Sequence, residues 1–236
     1  MYNTEREQWN DAYQTGKVLL IDKPLTWTSF DAVKKIRIAT GVSKVGHAGT
    51  LDPLATGLLI ICTGKFTKKI NEYMAAEKEY TGSFTLGATT PTYDLESEPI
   101  DHTDYSNLRN EALHAATQQF IGNILQVPPA HSAIKKSGTP AYVLARKGKE
   151  VKMDPRPITI SAFEITSIEM PKIYFRVVCS TGTYIRSLAN DYGKALGCGA
   201  YLSELRRTRI GEFLVDDALS IDDFIEEINK IKPSKN

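Results

Sequence analysis

The stretch Lys44–Gly64 reads KVGHAGTLDPLATGLLIICTG, a polar, glycine-rich loop running into an unbroken apolar segment. The apolar part, Leu58–Cys62, is expected to be a short buried strand. Ahead of it, Gly46, Gly49 and Gly57 permit tight turns and close backbone approach. Pro53 pushes Asp52 out of helical geometry toward extended backbone. Asp52 is therefore a carboxylate on a short, constrained loop at the edge of a buried strand, which makes it a candidate reactive group. On spacing alone, an Asp that merely bonds its own turn is the competing reading.

Working outward, Val18–Asp22 (VLLID) reads as a second buried strand. Ser29 is a plausible cap for a helix reaching about Ala39, with Val33 and Ile36 on one face. Thr67 can cap a helix carrying Ile70, Tyr73 and Met74. Glu79–Leu86 alternates, putting Tyr80, Gly82, Phe84 and Leu86 on one face of a strand. A long acidic loop, Gly87–Tyr105, follows, and Ser106 can cap a helix ending near Phe120. Ile158–Ile168 and Ile173–Cys179 read as paired strands about Pro171. Thr183–Leu196 reads as a helix stopped at Gly197. The tail Ser220–Lys230 reads as a helix with Ser220 as cap and Asp223 completing a capping box. This irregular alternation points to α+β with a mixed or antiparallel sheet rather than a doubly wound parallel one.

At 236 residues the chain is one large domain or two small ones. No apolar run approaches the ~20 residues that cross a bilayer, and the first twenty residues are not a signal peptide. Cys62, Cys179 and Cys198 are an odd, widely spaced set without a CxxC pair, which opposes a disulfide framework or a zinc site and fits a reducing cytoplasm. GxGxxG and GxxxxGK[ST] loops are absent, so nucleotide binding of those kinds is not indicated. The formal net charge is only +1. By segment, however, residues 1–70 hold 10 basic and 6 acidic groups, 71–120 hold 2 and 9, 121–210 hold 14 and 6, and 211–236 hold 3 and 7. Two basic blocks thus hide inside a neutral total, and a polyanion responds to the local field rather than to the sum. The densest basic run lies between Lys135 and Arg156, where a Pro- and Ser-rich loop is followed by a short helix stopped at Gly148.

The stretch GHAGTLDPLATGLL resembles the signature loop of the TruB family of tRNA pseudouridine synthases. Other stretches agree in the same order: DKP at Asp22–Pro24 with Ser29, KEY at Lys78–Tyr80, VPPAHSAIK at Val127–Lys135, AYVLAR at Ala141–Arg146, RPI at Arg156–Ile158, and STGTYIRSLANDYGKALGCGAYLSELRRTRIG at Ser180–Gly211. The resemblance covers about Val18 to Phe213.

It implies a pseudouridine synthase fold, with a central mixed, mostly antiparallel sheet, flanking helices and a catalytic cleft. It implies isomerisation of uridine 55 in the tRNA T-arm to pseudouridine, with neither metal nor organic cofactor. Asp52 matches the family's catalytic aspartate, which must be ionised to act as a nucleophile. Whether such a carboxylate attacks C1′, attacks C6 or abstracts a ribose proton stays open. Arg186 matches the arginine that pairs with it, and Tyr80 the tyrosine that stacks on the target base. His47, Asp94, Tyr184 and Leu205 match residues that hold the flipped nucleotide. Lys23, Lys135, Lys136, Arg146, Arg156, Arg206 and Arg207 are expected to bind RNA. Residues 1–16 are expected to form an arm and 17–236 the catalytic domain, with a basic insertion over about 127–156. Only 25 residues follow Gly211, which implies a short form without the family's C-terminal PUA module. The expected partner is the T-arm of tRNA; neither a membrane nor an obligate protein partner is expected, and the chain is expected to be a cytoplasmic monomer.

The chain departs from the family at Pro91, where many relatives carry an acid, and at Leu25–Trp27, which lacks the usual glycine. Rival readings are a noncatalytic tRNA-folding factor, a guide-RNA-directed relative, and a carboxylate hydrolase, which would need a second positioned carboxylate.

Overall fold

The computed structural model describes residues 12–136 and 138–231. Residues 12–15 are helical. The elements that follow are β1 (Val18–Lys23), α1 (Ser29–Thr40), β2 (Val45–His47), β3 (Ala55–Thr63), α2 (Ile70–Ala75), β4 (Lys78–Leu86), α3 (Asn110–Thr117), β5 (Gly122–Gln126), β6 (Lys135–Lys136), β7 (Thr139–Pro140), α4 (Ala141–Ala145), β8 (Arg156–Glu169), β9 (Lys172–Cys179), α5 (Ile185–Leu196), β10 (Ala200–Ile210), β11 (Phe213–Leu214), β12 (Leu219–Ser220) and α6 (Ile221–Ile231). The fold is α+β with a mixed sheet. It divides into two compact units, Met1–Glu79 with Arg206–Asn236, and Tyr80–Leu205.

In the first unit the strand order is β12-β1-β3-β10, with β2 on β3 and β11 on β10. The β12–β1 pair is parallel, whereas β1–β3, β2–β3 and β10–β11 are antiparallel. Strand β3 explains its own composition. Leu59 and Ile61 pack with Ile21, with Val33 and Ile36 of α1, and with Phe224 and Ile228 of α6. Leu58, Ile60 and Cys62 pack on the opposite face with Ile210 and Val215, near Phe66 and Ile70. A strand covered on both faces has no position left for a polar side chain, hence LLIIC without alternation. Residues 1–11 of the expected arm lie outside the described residues. Tyr13, just after them, belongs to the core and meets Phe224 edge-on, with ring centroids 6.5 Å apart.

In the second unit the order is β10-β4-β9-β8-β5. The β5–β8 and β8–β9 pairs are antiparallel. Its core is aromatic: Phe84 stacks on Phe175 at 4.2 Å, and Phe163 meets Tyr192 edge-on at 5.4 Å. The Tyr192 hydroxyl is not stranded there, because it donates to the Leu113 carbonyl at 2.8 Å.

Three caps differ from expectation. Helix α1 is capped by Thr28, whose hydroxyl accepts from the Asp31 N–H at 3.0 Å while the Asp31 carboxylate accepts from the Thr28 N–H at 3.0 Å. Ser29 lies inside the first turn, and its hydroxyl is used elsewhere. Thr67 sits within a 3₁₀ turn, Gly64–Lys69, and bonds Gly64 rather than capping α2. Ser106 is tied to Asp104, and α3 begins four residues later with no side-chain cap. At the tail Ser220 caps as expected: the Asp223 N–H donates to the Ser220 hydroxyl at 3.1 Å, and that hydroxyl donates to the Asp223 carboxylate at 2.6 Å.

Candidate active site

In the first unit, Asp52 lies on the loop between β2 and β3, and several backbone groups on either side of it are tied down. The Ala48 N–H donates to the Ile60 carbonyl and the Ala55 N–H to the Asp52 carbonyl, at 2.9 and 3.0 Å. From the opposite side, the Thr26 N–H donates to the Pro53 carbonyl at 2.8 Å. The Ser29 hydroxyl accepts from the Leu51 N–H at 2.8 Å and donates to the Leu51 carbonyl at 3.2 Å. Segment 24–29, the DKP loop and start of α1, is thus the clamp of the Asp52 loop. Thr26 makes its contact at φ 69, a left-handed conformation that a β-branched residue rarely adopts. This is why glycine suits the segment Leu25–Trp27, where this chain has none.

Two cations expected on the RNA surface are instead buried beside that loop. Arg207 is 1% exposed; its Nε donates to the Leu58 carbonyl at 2.8 Å and its Nη2 to the Gly49 carbonyl at 3.1 Å. It therefore ties together the two flanks of the Asp52 loop. Gly57, at φ 101, has no room for a side chain because the Arg207 backbone presses against it. Lys23 is fully buried, and its Nζ donates to the carbonyls of Pro24 at 2.8 Å and Trp27 at 2.6 Å. Burial pushes its pKa down to about 8, the Asp52 carboxylate opposing the shift and Arg207 adding to it. Neither side chain can reach a phosphate, which corrects the expectation of RNA binding at Lys23 and Arg207. Arg206 is half-exposed and makes a bidentate pair with Asp22, at 3.0 and 2.7 Å. His47, partly buried at the end of β2, is held toward its neutral form by burial and then by the Arg207 charge.

In the second unit, Arg186 and Asp94 come together. Both are nearly buried, with the guanidinium Nε 3.6 Å from the carboxylate Oδ2. The Arg186 Nη2 also donates to the His131 carbonyl at 3.1 Å. Asp94 is held in turn by the Glu96 N–H, which donates to Oδ1 at 3.0 Å. Tyr184 precedes α5, and the buried Gln126 side chain grips both of its backbone groups: its Oε1 accepts from the Tyr184 N–H at 2.8 Å and its Nε2 donates to the Tyr184 carbonyl at 3.1 Å. Tyr80 is 8% exposed on β4, and Leu205 is partly buried on β10. The insertion starts from this same place, since the Ser187 hydroxyl donates to the Val127 carbonyl at 2.7 Å. Lys135, Arg146 and Arg156 are exposed along it, while Lys136 is paired with Asp154.

The first unit thus gathers Asp52, Lys23, Arg207 and His47, and the second gathers Arg186, Asp94 and Tyr184. Sequence reasoning missed Gln126 and the clamping roles of Thr26, Ser29 and Arg207. Gln126 ends β5 immediately before the VPP turn, a place with no local pattern to mark it. Among the described residues no group of three or more His, Cys, Asp or Glu is placed to hold a metal, and no helix is long and apolar enough to cross a membrane.

A model described as the TruB family pseudouridylate synthase N-terminal domain matches residues 37–185. The chain belongs to the TruB family. A model of the tRNA pseudouridylate synthase B C-terminal domain matches residues 186–234. The tRNA pseudouridine synthase B of Flavobacterium johnsoniae is 55% identical, covering 92% of this chain and 98% of that one. That of Phocaeicola vulgatus is 50% identical, covering 92% and 95%. Among solved structures, a chain from a Cbf5-Nop10-Gar1 complex superposes with a TM-score of 0.72 at 31% identity, covering 94% of this chain and 56% of that one. As a TruB-family member the chain is an isomerase that converts uridine in tRNA to pseudouridine. The clamped Asp52 loop lies within the matched TruB N-terminal region, and the first turn of α5, with Arg186, opens the C-terminal one.

Proposed function

We propose that the chain isomerises uridine 55 in the T-arm of tRNA, with Asp52 as the nucleophilic carboxylate. The N1–C1′ bond breaks, the uracil turns, and a C5–C1′ bond forms; C5 gives up its proton and N1 gains one. Atoms and electrons balance within the nucleoside, so the reaction itself calls for no redox or hydrolytic partner. The observation that carries the reading is the Asp52 loop, a carboxylate on backbone fixed at Leu51, Pro53 and Ala55 and lying in the field of the buried Lys23 ammonium. A reactive group that need not reorganise keeps more of its orientational advantage in the transition state.

The target uridine is buried in the folded T-loop, so it is flipped out to react, which costs a few kcal/mol of unstacking. Tyr80 stacks on the base, and Arg186 supplies positive charge from an orientation already set by Asp94 and the His131 carbonyl. His47, Asp94, Tyr184 and Leu205 hold the extruded nucleotide. Lys135, Arg146 and Arg156 bind T-arm phosphates. The enzyme works in the cytoplasm as a monomer and without an obligate protein partner.

Purified protein alone, given an unmodified tRNA transcript, is expected to form pseudouridine at position 55 only, as mapped by mass spectrometry. Asp52→Asn is expected to bind the transcript with unchanged affinity and form no product. Product elsewhere, or full activity in Asp52→Asn, overturns the reading.

A further inference from the structure

The first unit carries a groove that the uridine chemistry does not use. It lies between the loop after β1 and the outward face of α1, has a volume of about 410 Å³, and is lined by Thr26, Trp27, Asp31, Lys34, Lys35 and Ile38. Positions 31, 34, 35 and 38 share one helix face by their spacing. The opposite face, with Ala32, Val33 and Ile36, is the one buried in the core. The floor is apolar: Trp27 packs partly against the first unit's core and partly lines the groove, and Ile38 is 67% exposed. Phe30, next in sequence to the clamp residue Ser29, is 63% exposed.

The lining carries two ammonium groups and one carboxylate, a net positive charge, with the carboxylate in the field of Lys34. The Asp31 carboxylate is occupied in the capping box, accepting from the Thr28 N–H at 3.0 Å and from the Thr28 hydroxyl at 2.6 Å. Lys34 and Lys35 are exposed, and neither is ion-paired among the described residues. What remains for a ligand is an indole and an aliphatic wall beneath two ammonium groups. That combination suits an unstacked nucleotide, whose base needs a flat apolar partner and whose phosphates need cations. The groove is also continuous with the Asp52 clamp, because Thr26 lines it and donates to the Pro53 carbonyl.

We propose that this groove is a second RNA subsite, which holds an unpaired nucleotide of the tRNA other than the target uridine, its base against Trp27 and Ile38 and its phosphates on Lys34 and Lys35. The proposal rests on tRNA being the substrate, and it separates the grip on the RNA from the chemistry at Asp52.

The test uses the full chain and a full-length unmodified tRNA transcript. Binding is measured across a salt series for the wild type and for Lys34→Gln/Lys35→Gln, whose exposed substitutions leave the core intact. The expected result is roughly tenfold weaker binding at low salt and a log–log salt slope shallower by about 1 to 2. In a Trp9→Phe background, Trp27 is the sole tryptophan, and its emission is expected to fall when the transcript binds. An unchanged affinity and slope, or an unmoved Trp27 emission, overturns the proposal. So does self-association in sedimentation that the lysine variant abolishes, because the groove would then hold a second copy of the chain. Pseudouridine formation by the wild type is read separately, so failure of the catalytic assignment is distinguishable from failure of this subsite.

Discussion

Ser29 and Leu51, 22 positions apart, are joined twice: one hydroxyl accepts from the Leu51 N–H and donates to the Leu51 carbonyl. All three groups are buried, so no water replaces the serine if it is removed. Ser29→Ala is expected to cost about 2 kcal/mol of stability, within the ~1–3 kcal/mol of an unsatisfied buried group. Because Leu51 adjoins Asp52, kcat is expected to fall at least tenfold with tRNA affinity unchanged. Urea unfolding and single-turnover kinetics measure the two effects; a normal kcat would remove Ser29 from the positioning of Asp52.

Thr26 holds Pro53 at a price in backbone strain. A non-glycine residue in the left-handed region costs ~1–2 kcal/mol, while glycine loses ~0.5–1 kcal/mol more entropy on folding. Thr26→Gly is therefore expected to stabilise the protein by about 0.5 kcal/mol and raise the urea midpoint. A lower midpoint would show that the threonine methyl contributes more to packing than the strain costs.

Lys23 sets a pH dependence. Its folded pKa, about 8, lies below the ordinary 10.5, so between those values the unfolded chain binds more protons and stability rises with pH. The penalty of holding the ammonium buried is fully present below about pH 8 and is relieved as pH climbs toward 10.5. Relative to Lys23→Met, the wild type is expected to gain stability between pH 8 and 10. The difference in urea midpoints at the two values measures it, and a constant difference would sink the assignment.

Arg186 and Asp94 form a pair that is costly to break from one side. Asp94→Ala removes the carboxylate beside a buried guanidinium that also donates to the His131 carbonyl, and breaking such pairs typically costs ~3–5 kcal/mol. Asp94→Asn, which keeps an acceptor, is expected to recover about half of that loss. Thermal unfolding of both variants decides it; equal losses would mean that the charge, and not the acceptor, is what Arg186 requires.

Along the insertion, Lys135, Arg146 and Arg156 are exposed. Replacing each with Gln is expected to flatten the salt dependence of tRNA binding by about 0.9 per lost phosphate contact. Arg206→Gln is expected to lower stability by about 0.5–1 kcal/mol, because its guanidinium is already partly committed to Asp22. Salt titrations of the three insertion variants and urea unfolding of Arg206→Gln test this, and an unchanged salt slope in all three would exclude the insertion from RNA contact.

The elements governed by neighbours along the chain were legible. Strand β3 follows from LLIIC, β4 from the alternation of Tyr80, Gly82, Phe84 and Leu86, and the start of α6 from Ser220 and Asp223. The family motifs drew Asp52, Tyr80 and Arg186 out of the sequence in order. The caps at Ser29 and Ser106 were misread because a hydroxyl near a helix start can bond either its own turn or a distant loop, and local sequence does not say which. Lys23 and Arg207 were misread for a related reason. A cation's charge is local information, but its burial depends on which carbonyls the fold brings to it. Residue order alone therefore marked β1, β3, β4, β8 and β9, most of the helices and the family motifs that include Asp52, whereas β10 and β5 were not read from it. Only the tertiary structure decided that Thr26, Ser29, Lys23 and Arg207 serve the Asp52 loop, because those hydrogen bonds join residues up to 158 positions apart and exist only once the first unit has packed.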